Sequence, residues 1–274
     1  MTITFRELTT AQELGQLPEM EASVWVGDKP IPLQLTLTLA KFGGIFLGAF
    51  DGDHMIGFLY SFPGFTDGQP HLCSHMMGFL PEYRKQGLGV QMKWLQREEA
   101  IRRQHNKITW TYDPLETVNG FLNIAKLGGV VRTYLPNCYG VMEDVFNRGL
   151  PTDRFLVEWF ITSSRVNSYR EGKTYACDTA GAPSLLSYER NGELPRPTGV
   201  FLNHQEPVLL VPVPAHFQQV KQSDIHLASA WRELTGQVFQ TYFARGYVAT
   251  NVLRSPDIVH YVLEKQPLET VLER

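Results

Sequence analysis

An apolar strand that stops at a proline, followed by a basic turn and two glycines, constrains this chain more than any other feature. The strand ends at Pro81, and the turn behind it holds Arg84 and Lys85. Gly87 and Gly89 then open an amphipathic helix. The first N–H groups of a helix lack partners within it, and the helix dipole adds positive charge there. Glycines let an anion approach the main chain closely, so the pattern predicts a cradle for a diphosphate.

Two other phosphate-binding patterns fit this turn less well. A dinucleotide fold places Gly-x-Gly-x-x-Gly after its first strand, with an acidic residue about twenty positions on. Here the order is Arg84-x-x-Gly87-x-Gly89, and it follows the fourth predicted strand. A nucleotide triphosphate loop needs Gly-Lys-Ser or Gly-Lys-Thr after its strand, and this turn has neither.

Composition and charge exclude several classes of protein. The chain has 274 residues, 43% hydrophobic and 19% charged, which is ordinary for a soluble protein of one large domain or two modest ones. A net charge of −3 without a dense Lys/Arg block argues against nucleic-acid binding. The apolar runs are too short to cross a bilayer and the N-terminus turns polar at once, so we expect no membrane segment and no signal peptide.

The cysteines indicate a reducing compartment. Cys73, Cys138 and Cys177 leave one thiol unpaired under any disulfide scheme. None of them stands at the spacing of metal ligands. We therefore expect reduced, buried thiols, no bound metal and a cytoplasmic location.

Hydrophobic periodicity and turn signals order the elements of the first part of the chain. The predicted elements are a strand at 2–5, a helix capped by Thr9 or Thr10 and running through 13–22, a helix at 33–41, strands at 45–50, 55–60 and 72–80, a helix at 87–103, a strand at 107–112, a helix at 117–127, and strands at 130–134 and 155–161. This order predicts an α/β layered domain over residues 1–165.

The remaining residues, 166–274, are predicted to form a C-terminal αβ extension. Residues 166–206 are rich in Gly, Pro, Ser, Asn and Thr, with a candidate hairpin turn at Asn191-Gly192. A strand at 208–213, a helix at 224–244 and strands at 246–253 and 258–263 follow. A helix that runs through glycine into a strand also closes the first domain. That order fits a degenerate internal duplication, and it fits any other αβ unit as well.

The glycine-rich turn resembles the coenzyme A signature of the GNAT acyltransferase superfamily. The resemblance implies the GNAT fold, with a splayed mixed central sheet that holds acyl-coenzyme A between its fourth and fifth strands. It also implies that the fourth strand pairs with the pantetheine amides and that the turn wraps the pyrophosphate. The coenzyme-binding residues implied are Met77, Phe79, Leu80, Arg84, Lys85, Gln86, Gly87, Leu88, Gly89 and Val90.

A second stretch is similar to another signature of the same family. Its helix carries Asn119 and Asn123 and ends in Lys126-Leu127-Gly128. The resemblance implies that the two asparagines contact the pantetheine arm.

The chain departs from the family at one catalytic position. The tyrosine with which many members protonate the leaving thiolate would fall near Ile124 or Ala125, and neither side chain donates a proton. The general-acid role is therefore vacant, or it has moved to Tyr134 or Tyr139.

A closer resemblance covers more of the chain. Asp113-Pro114-Leu115-Glu116, Tyr134-Leu135-Pro136-Asn137 and Ala230-Trp231-Arg232 are similar to one GNAT branch that carries a C-terminal extension. Some members of that branch resemble N-succinyltransferases that act on amino acids. The resemblance implies acetyl- or succinyl-coenzyme A as the co-substrate and a small-molecule primary amine, such as an amino acid, as the acceptor. The sequence leaves open whether the chain forms a homodimer.

Acyl transfer to an amine by direct attack requires a base and a held carbonyl. Asp113, Glu116 and His75 are the candidate bases, although the two acids also suit a helix N-terminus and a strand histidine is often structural. In the family a bulge in the fourth strand frees an N–H for the thioester carbonyl. Met77-Gly78 is the predicted place for it, unless the glycine only serves packing.

Four arginines can grip a substrate carboxylate, or they can be structural. They are Arg132, Arg154, Arg165 and Arg232. Two alternatives to an enzyme remain at the level of sequence. The chain can be an inactive coenzyme A sensor on a GNAT fold, or an interaction protein that docks through residues 166–274.

Overall fold

The computed structural model describes residues 3–24, 30–66, 68–142, 144–175, 177–190 and 194–274. The chain divides into two compact units, unit 1 (Met1–Trp110) and unit 2 (Thr111–Arg274). Both units combine strands and helices, which confirms the α/β class. The domain boundary predicted at residue 165 is a different division of the chain and stays a prediction.

Unit 1 is built on a mixed sheet. Its strands are β1 (Ile3–Glu7), β2 (Ile45–Asp51), β3 (His54–Thr66), β4 (Gln69–Phe79) and the first part of β5 (Ile108–Tyr112), and its helices are α1 (Ala11–Leu14), α2 (Leu17–Val24), α3 (Leu33–Lys41) and α4 (Leu88–Arg102). The strands lie in the order β1-β2-β3-β4-β5. Neighbours are antiparallel except for β4 and β5, which are parallel. The mixed sheet predicted from the sequence is therefore confirmed.

One predicted helix proves to be two. Thr10 caps α1 and forms a capping box with Glu13, as expected. The helix then ends at Gly15, and α2 begins at Leu17. Glycine is a weak helix former, and the break lets Leu17 and Met20 join a buried cluster with aromatic side chains of β2 and β3. The prediction of one continuous helix through residues 13–22 is therefore wrong.

Strands β4 and β5 part soon after they meet. Their parallel pairing joins Leu72 to Ile108 and Cys73 to Thr109. Strand β4 continues beyond this pairing as far as Phe79. The sheet of unit 1 is thus splayed at the position that the resemblance implied.

Unit 2 carries a second set of strands. They are the end of β5, β6 (Val130–Leu135), β7 (Arg154–Trp159), β8 (Leu186–Arg190), β9 (Pro195–Val200), β10 (Val208–Pro214), β11 (Val248–Leu253) and β12 (Ile258–Glu264). The order β7-β6-β11-β12-β10 is antiparallel throughout. Strands β8 and β9 pair with each other, which confirms the hairpin predicted there. Its predicted turn, Asn191-Gly192, lies outside the described residues.

The helices of unit 2 are partly unexpected. They are α5 (Thr117–Gly120), a π-helical segment (Phe121–Lys126), α6 (Ser164–Arg170), α7 (Phe217–Ser223), α8 (Ile225–Ala244) and α9 (Leu268–Leu272). The helix predicted at 117–127 exists, but its second half is wound more widely, because the Leu127 N–H reaches the Leu122 carbonyl. Helices α6, α7 and α9 are missing from the sequence prediction, since each is shorter than the window of about 11 residues over which helical periodicity can be recognised.

Two hairpins of unit 2 match residue by residue. In β6 and β7, Val130 pairs with Glu158, and Arg132 is an extra, bulged residue. In β11 and β12, Val248 pairs with Glu264, and the bulge falls at the same place, on Thr250.

The match extends outside the two hairpins. Each is preceded by a helix that ends two residues before a left-handed glycine, Gly128 or Gly246. When Val130 is matched with Val248, the counterpart of Val131 is Ala249, and these two residues of β6 and β11 pair with each other. A shared bulge position is not required of αβ units in general, so the structure favours the internal duplication.

Glu264 supports a prediction about stability. This carboxylate is 1% exposed and binds the Arg274 guanidinium, with Nη1–oxygen distances of 2.9 and 3.1 Å. Replacing Arg274 by methionine removes the bonded cation from a buried charge. We expect the free energy of unfolding, measured by urea denaturation, to fall by about 2–3 kcal/mol, because the arginine keeps some exposure.

The control for this experiment is an exposed pair. Lys173→Met breaks the solvated contact with Glu171, and we expect no measurable change in the urea midpoint. Equal effects of Arg274→Met and Lys173→Met would mean that the buried carboxylate does not depend on its arginine.

Candidate active site

The turn behind β4 has the conformation of an anion cradle. A 3₁₀ turn (Pro81–Tyr83) leaves the strand, and the Arg84 Nε then donates to the Phe79 carbonyl over 2.9 Å. Lys85 and Gly87 both have left-handed backbones, with φ of 63° and 79°. Left-handed residues in such a turn aim successive N–H groups at a common point. Arg84, predicted to add positive charge at the diphosphate, is held against the end of β4 through its Nε.

The N–H groups of this turn are available. The amides of Val90 and Gln91 donate to the Gly87 carbonyl. Within the described part of the chain, the amides from Lys85 to Gly89 donate to no protein acceptor. Lys85, Gln86 and Gly87 are exposed, and Leu88 is buried under them. The turn thus offers amides without protein acceptors on a partly exposed segment, and diphosphate binding by it stays a prediction.

The bulge of β4 lies earlier than predicted. Tyr60 of β3 pairs with Met76, and its neighbour Ser61 pairs with Ser74, so His75 is the extra residue. The expectation of a bulge at Met77-Gly78 is wrong. Both residues are in regular register, where Gly57 of β3 leaves space for the Phe79 ring.

His75 lies on the bulge against aromatic neighbours. Its ring is 5.6 Å from the Tyr60 ring and 5.7 Å from the Phe62 ring. The apolar surroundings lower the pKa of the imidazole, which favours its neutral form. A neutral imidazole on an exposed bulge can accept a proton.

Helix α4 buries more polar groups than a simple amphipathic helix. Leu88 and Met92 are buried as predicted. Lys93 and Gln96 are buried as well, and the Lys93 ammonium lies 2.8 Å from Gln96 Oε1 and 3.3 Å from Ser74 Oγ, just before the bulge. Burial holds the pKa of Lys93 well below its usual range. Nothing in the sequence separates this buried cation from an exposed one of the same helix, such as Arg102.

The acidic turn after β5 is anchored by α8. Arg232 donates from both terminal nitrogens to the two oxygens of Asp113, with Nη1–Oδ1 at 2.7 Å. Asp113 Oδ1 also accepts the Leu115 N–H. Both side chains are buried. Asp113, predicted as a base or a cap, is thus the partner of a buried guanidinium.

Glu116, on the same turn, is less constrained. It is half-buried, and its Oε1 accepts from Nε2 of Gln218 on α7. Burial raises the pKa of this carboxyl, the amide of Gln218 lowers it, and the charge of Asp113 raises it again. A half-exposed carboxyl with a raised pKa has the character expected of a general base.

The two asparagines predicted to contact pantetheine differ in their surroundings. Asn119 is exposed on α5, and its N–H donates to the Glu116 carbonyl. Asn123 is 5% exposed in the π-helical segment, and its carbonyl accepts from Gly129. Only Asn119 presents its side chain to solvent; contact of either residue with pantetheine stays a prediction.

The tyrosines considered as general acids are both engaged. The Tyr134 hydroxyl donates to Asp153 over 2.5 Å, and burial together with this carboxylate raises its pKa. The Tyr139 hydroxyl lies 2.6 Å from Thr111 Oγ1, and its ring is half-exposed. The role of general acid stays a prediction for both of them.

The four candidate arginines already bind protein groups. Arg132 binds Glu158, and Arg154 binds Asn147 and the Asp153 carbonyl. Arg165 donates to the carbonyls of Gly128 and Thr250, and Arg232 binds Asp113. A substrate carboxylate would have to displace one of these partners.

Thiols, metal sites and membrane segments were also expected from the sequence. All three cysteines are free thiols, and Cys138 is exposed, so the expectation that all three are buried is wrong. In the described ranges, His, Cys, Asp and Glu side chains do not gather in a group of three that can hold a metal. No described helix has the length and apolar character to cross a bilayer.

Comparisons with known proteins give matches of structure only. No family model and no curated protein matches this sequence. A GNAT acetyltransferase from Streptococcus pneumoniae is 14% identical, with TM-score 0.46 over 57% of this chain and 98% of its own. The ribosomal-protein-S18-alanine N-acetyltransferase from Escherichia coli is 15% identical, with TM-score 0.46 over 60% of this chain and 96% of its own.

A third solved structure was determined with its co-substrate. It is a GNAT acetyltransferase from Elizabethkingia anophelis with acetyl-CoA bound, 17% identical, with TM-score 0.40 over 58% of this chain and 97% of its own. Similarity at this level says nothing about the chemistry of the present chain, which depends on its own residues.

The two glycines of the cradle make a matched test of its conformation. An added Cβ at Gly87 meets nothing within 4 Å, so Gly87→Ala suffers only from the left-handed backbone. We expect a loss of about 1 kcal/mol in the free energy of unfolding. At Gly89 the added Cβ meets Met77 at an ordinary 3.5 Å, so Gly89→Ala should be neutral or slightly stabilising. Urea denaturation measures both variants, and the opposite order would contradict the described turn.

Proposed function

We propose that this protein is an acyl-coenzyme A-dependent N-acyltransferase of the GNAT type. The observation that carries the proposal is the row of amides from Lys85 to Gly89, at the N-terminus of a 15-residue helix, which donate to no acceptor among the described residues. Lys85, Gln86 and Gly87 in this row are exposed. Such a row, with left-handed residues inside it, suits a diphosphate. Two cationic side chains in the same turn, Arg84 and Lys85, add favourable charge.

The splayed edge of β4 supports the same proposal. Beyond Cys73 the strand no longer pairs with β5, so an extended amide chain such as pantetheine can add to this edge. The bulge at His75 lies on the same stretch and disturbs the ladder locally. We propose that an N–H at the bulge polarises the thioester carbonyl.

Glu116 is the base that we propose for deprotonating the acceptor amine. Of its two rivals, Asp113 is bound at both oxygens by Arg232. His75, whose lowered pKa favours the neutral imidazole, is the second candidate. The amine nitrogen then attacks the thioester carbon, the new C–N bond forms, and the C–S bond breaks to release coenzyme A. Before the attack, Glu116 removes one proton from the ammonium, which leaves a neutral, nucleophilic amine. The nitrogen gives up a second proton as the amide forms. One of these two protons goes to the leaving thiolate and the other passes to solvent.

We propose a small primary amine as the acceptor and acetyl or succinyl as the acyl group. The engaged arginines favour acetyl, since an uncharged acyl group needs no cation to hold it. An amino acid acceptor remains part of the proposal on the resemblance alone.

A second candidate function rests on one observation. The tyrosine that protonates the leaving thiolate in many members of the family would fall near Ile124 or Ala125, and neither side chain donates a proton. Ile124 is also fully buried. A protein that holds coenzyme A without turning it over would show the same cradle. Such a sensor binds coenzyme A but releases no thiol from any acyl donor.

Calorimetry and a thiol-release assay separate these functions. We expect coenzyme A to bind with a stoichiometry of about one, and we expect thiol release with at least one acyl donor across a panel of amines. Absence of binding would remove both enzyme and sensor. Binding without release from acetyl-, succinyl- or longer acyl-coenzyme A would leave the sensor.

The role of Glu116 gives a prediction about pH. Because the base works only when ionised, kcat/KM should rise as pH rises through the pKa of Glu116, which burial shifts upward. In Glu116→Gln this rise, which is the acid limb of the pH profile, should disappear, and kcat should fall about 10²-fold or more. The affinity for coenzyme A, measured by calorimetry, should stay within about twofold. A variant with the wild-type rate and limb would show that another group is the base.

A further inference from the structure

Gln218 contacts the proposed base from the C-terminal part of unit 2. It lies near the start of α7, the helix that follows β10, and its Nε2 donates to Glu116 Oε1. Next to it, Thr117 Oγ1 donates to the Ala215 carbonyl over 3.0 Å. The acidic turn after β5 and the turn after β10 are therefore joined by two hydrogen bonds, although about a hundred residues separate them.

The cations near Glu116 are bonded to other groups, so the Gln218 amide is the donor that acts on this carboxylate. Asp113, on the same turn, faces it with a like charge, and Arg232 of α8 and Lys221 of α7 face it with opposite charge. Arg232 is bound to both oxygens of Asp113. The Lys221 ammonium donates to the carbonyls of Val145 and Phe146. Among the described residues, the side-chain donor bonded to Glu116 is therefore a neutral amide.

We propose that Gln218 is a positioning residue for Glu116, and that through it the C-terminal part of unit 2 sets the lowest pH at which acyl transfer proceeds at full rate. This inference rests on the proposed function, in which Glu116 is the base. The amide fixes one carboxylate oxygen, so the other oxygen is left to receive the proton of the amine. A residue of the extension thereby takes part in the reaction without touching the substrate.

A neutral donor suits this task better than a cation. A lysine or arginine bonded to Glu116 would stabilise the carboxylate so strongly that it would accept a proton poorly. Without any donor, burial would raise the pKa of this half-buried carboxyl further and favour its protonated form. The glutamine lies between these extremes, since a hydrogen bond contributes less than an ion pair.

The test compares two neighbouring glutamines of α7. Gln218→Met keeps the length of the side chain and removes the donor, while Gln219→Met changes an exposed neighbour and is the control. Without the bond the ionised form of Glu116 is less stable, so the acid limb of kcat/KM should move to higher pH. On the acid side, kcat/KM should fall about two- to tenfold, which corresponds to one hydrogen bond. The high-pH plateau, the KM for acyl-coenzyme A and the Gln219→Met profile should not change.

A titration that needs no turnover tests the effect of Gln218 on Glu116 separately from the proposed function. The side-chain carboxyl carbon of Glu116, assigned by its loss in Glu116→Gln, is followed by NMR against pH in the wild type and in Gln218→Met. A higher midpoint in the variant supports the inference, and an unchanged midpoint overturns it. If the wild type binds coenzyme A but releases no thiol, the proposed function fails while the NMR comparison still decides on Gln218. Should Gln218→Met unfold, Gln218→Asn, whose shorter side chain retracts the amide, replaces it in both measurements.

Discussion

Strand β4 runs on to Phe79 although its parallel pairing with β5 ends at Cys73, and the turn that follows exposes amides without acceptors. Backbone N–H and C=O groups require partners, so this stretch of unit 1 is complete only with water or a ligand bound along it. An extended chain of amides that ends in a diphosphate satisfies both parts at once. The splay and the turn are therefore one feature of the fold. Strand β4, whose edge parts from β5 while it stays paired with β3, leads directly into the turn at the N-terminus of α4.

Unit 2 depends on buried guanidinium groups. Arg165 is fully buried and joins the Gly128 carbonyl, at the end of one repeat's helix, to the Thr250 carbonyl at the bulge of the other repeat. Arg232 ties α8 to the acidic turn through Asp113. Such groups are costly to bury unless they are bonded, so each fixes the geometry of the segments that it joins. The C-terminal half is thereby an integral part of the fold of unit 2 and cannot be a loose appendage.

The sequence was sufficient for elements with a local signal. Helix α3 and the hairpin around Gly52 follow directly from apolar periodicity and turn residues. The position of the β4 bulge was missed, because it depends on the pairing with β3 rather than on Gly78 itself. The partners of Asp113 and Glu116 were missed for a related reason: Arg232 and Gln218 are more than a hundred positions away, and no periodicity links them.

The comparison of the two acids shows why a site must be assigned from geometry. Asp113 and Glu116 are three positions apart, and in sequence both suit either a base or a helix N-terminus. In the fold, Asp113 receives a bidentate guanidinium and a backbone amide, which leaves its oxygens little capacity for a further proton. Glu116 receives a single neutral donor in a half-buried position that raises its pKa. Glu116 keeps solvent exposure and accepts from a neutral amide, whereas Asp113 is buried against a cation, and this difference originates in Gln218 and Arg232.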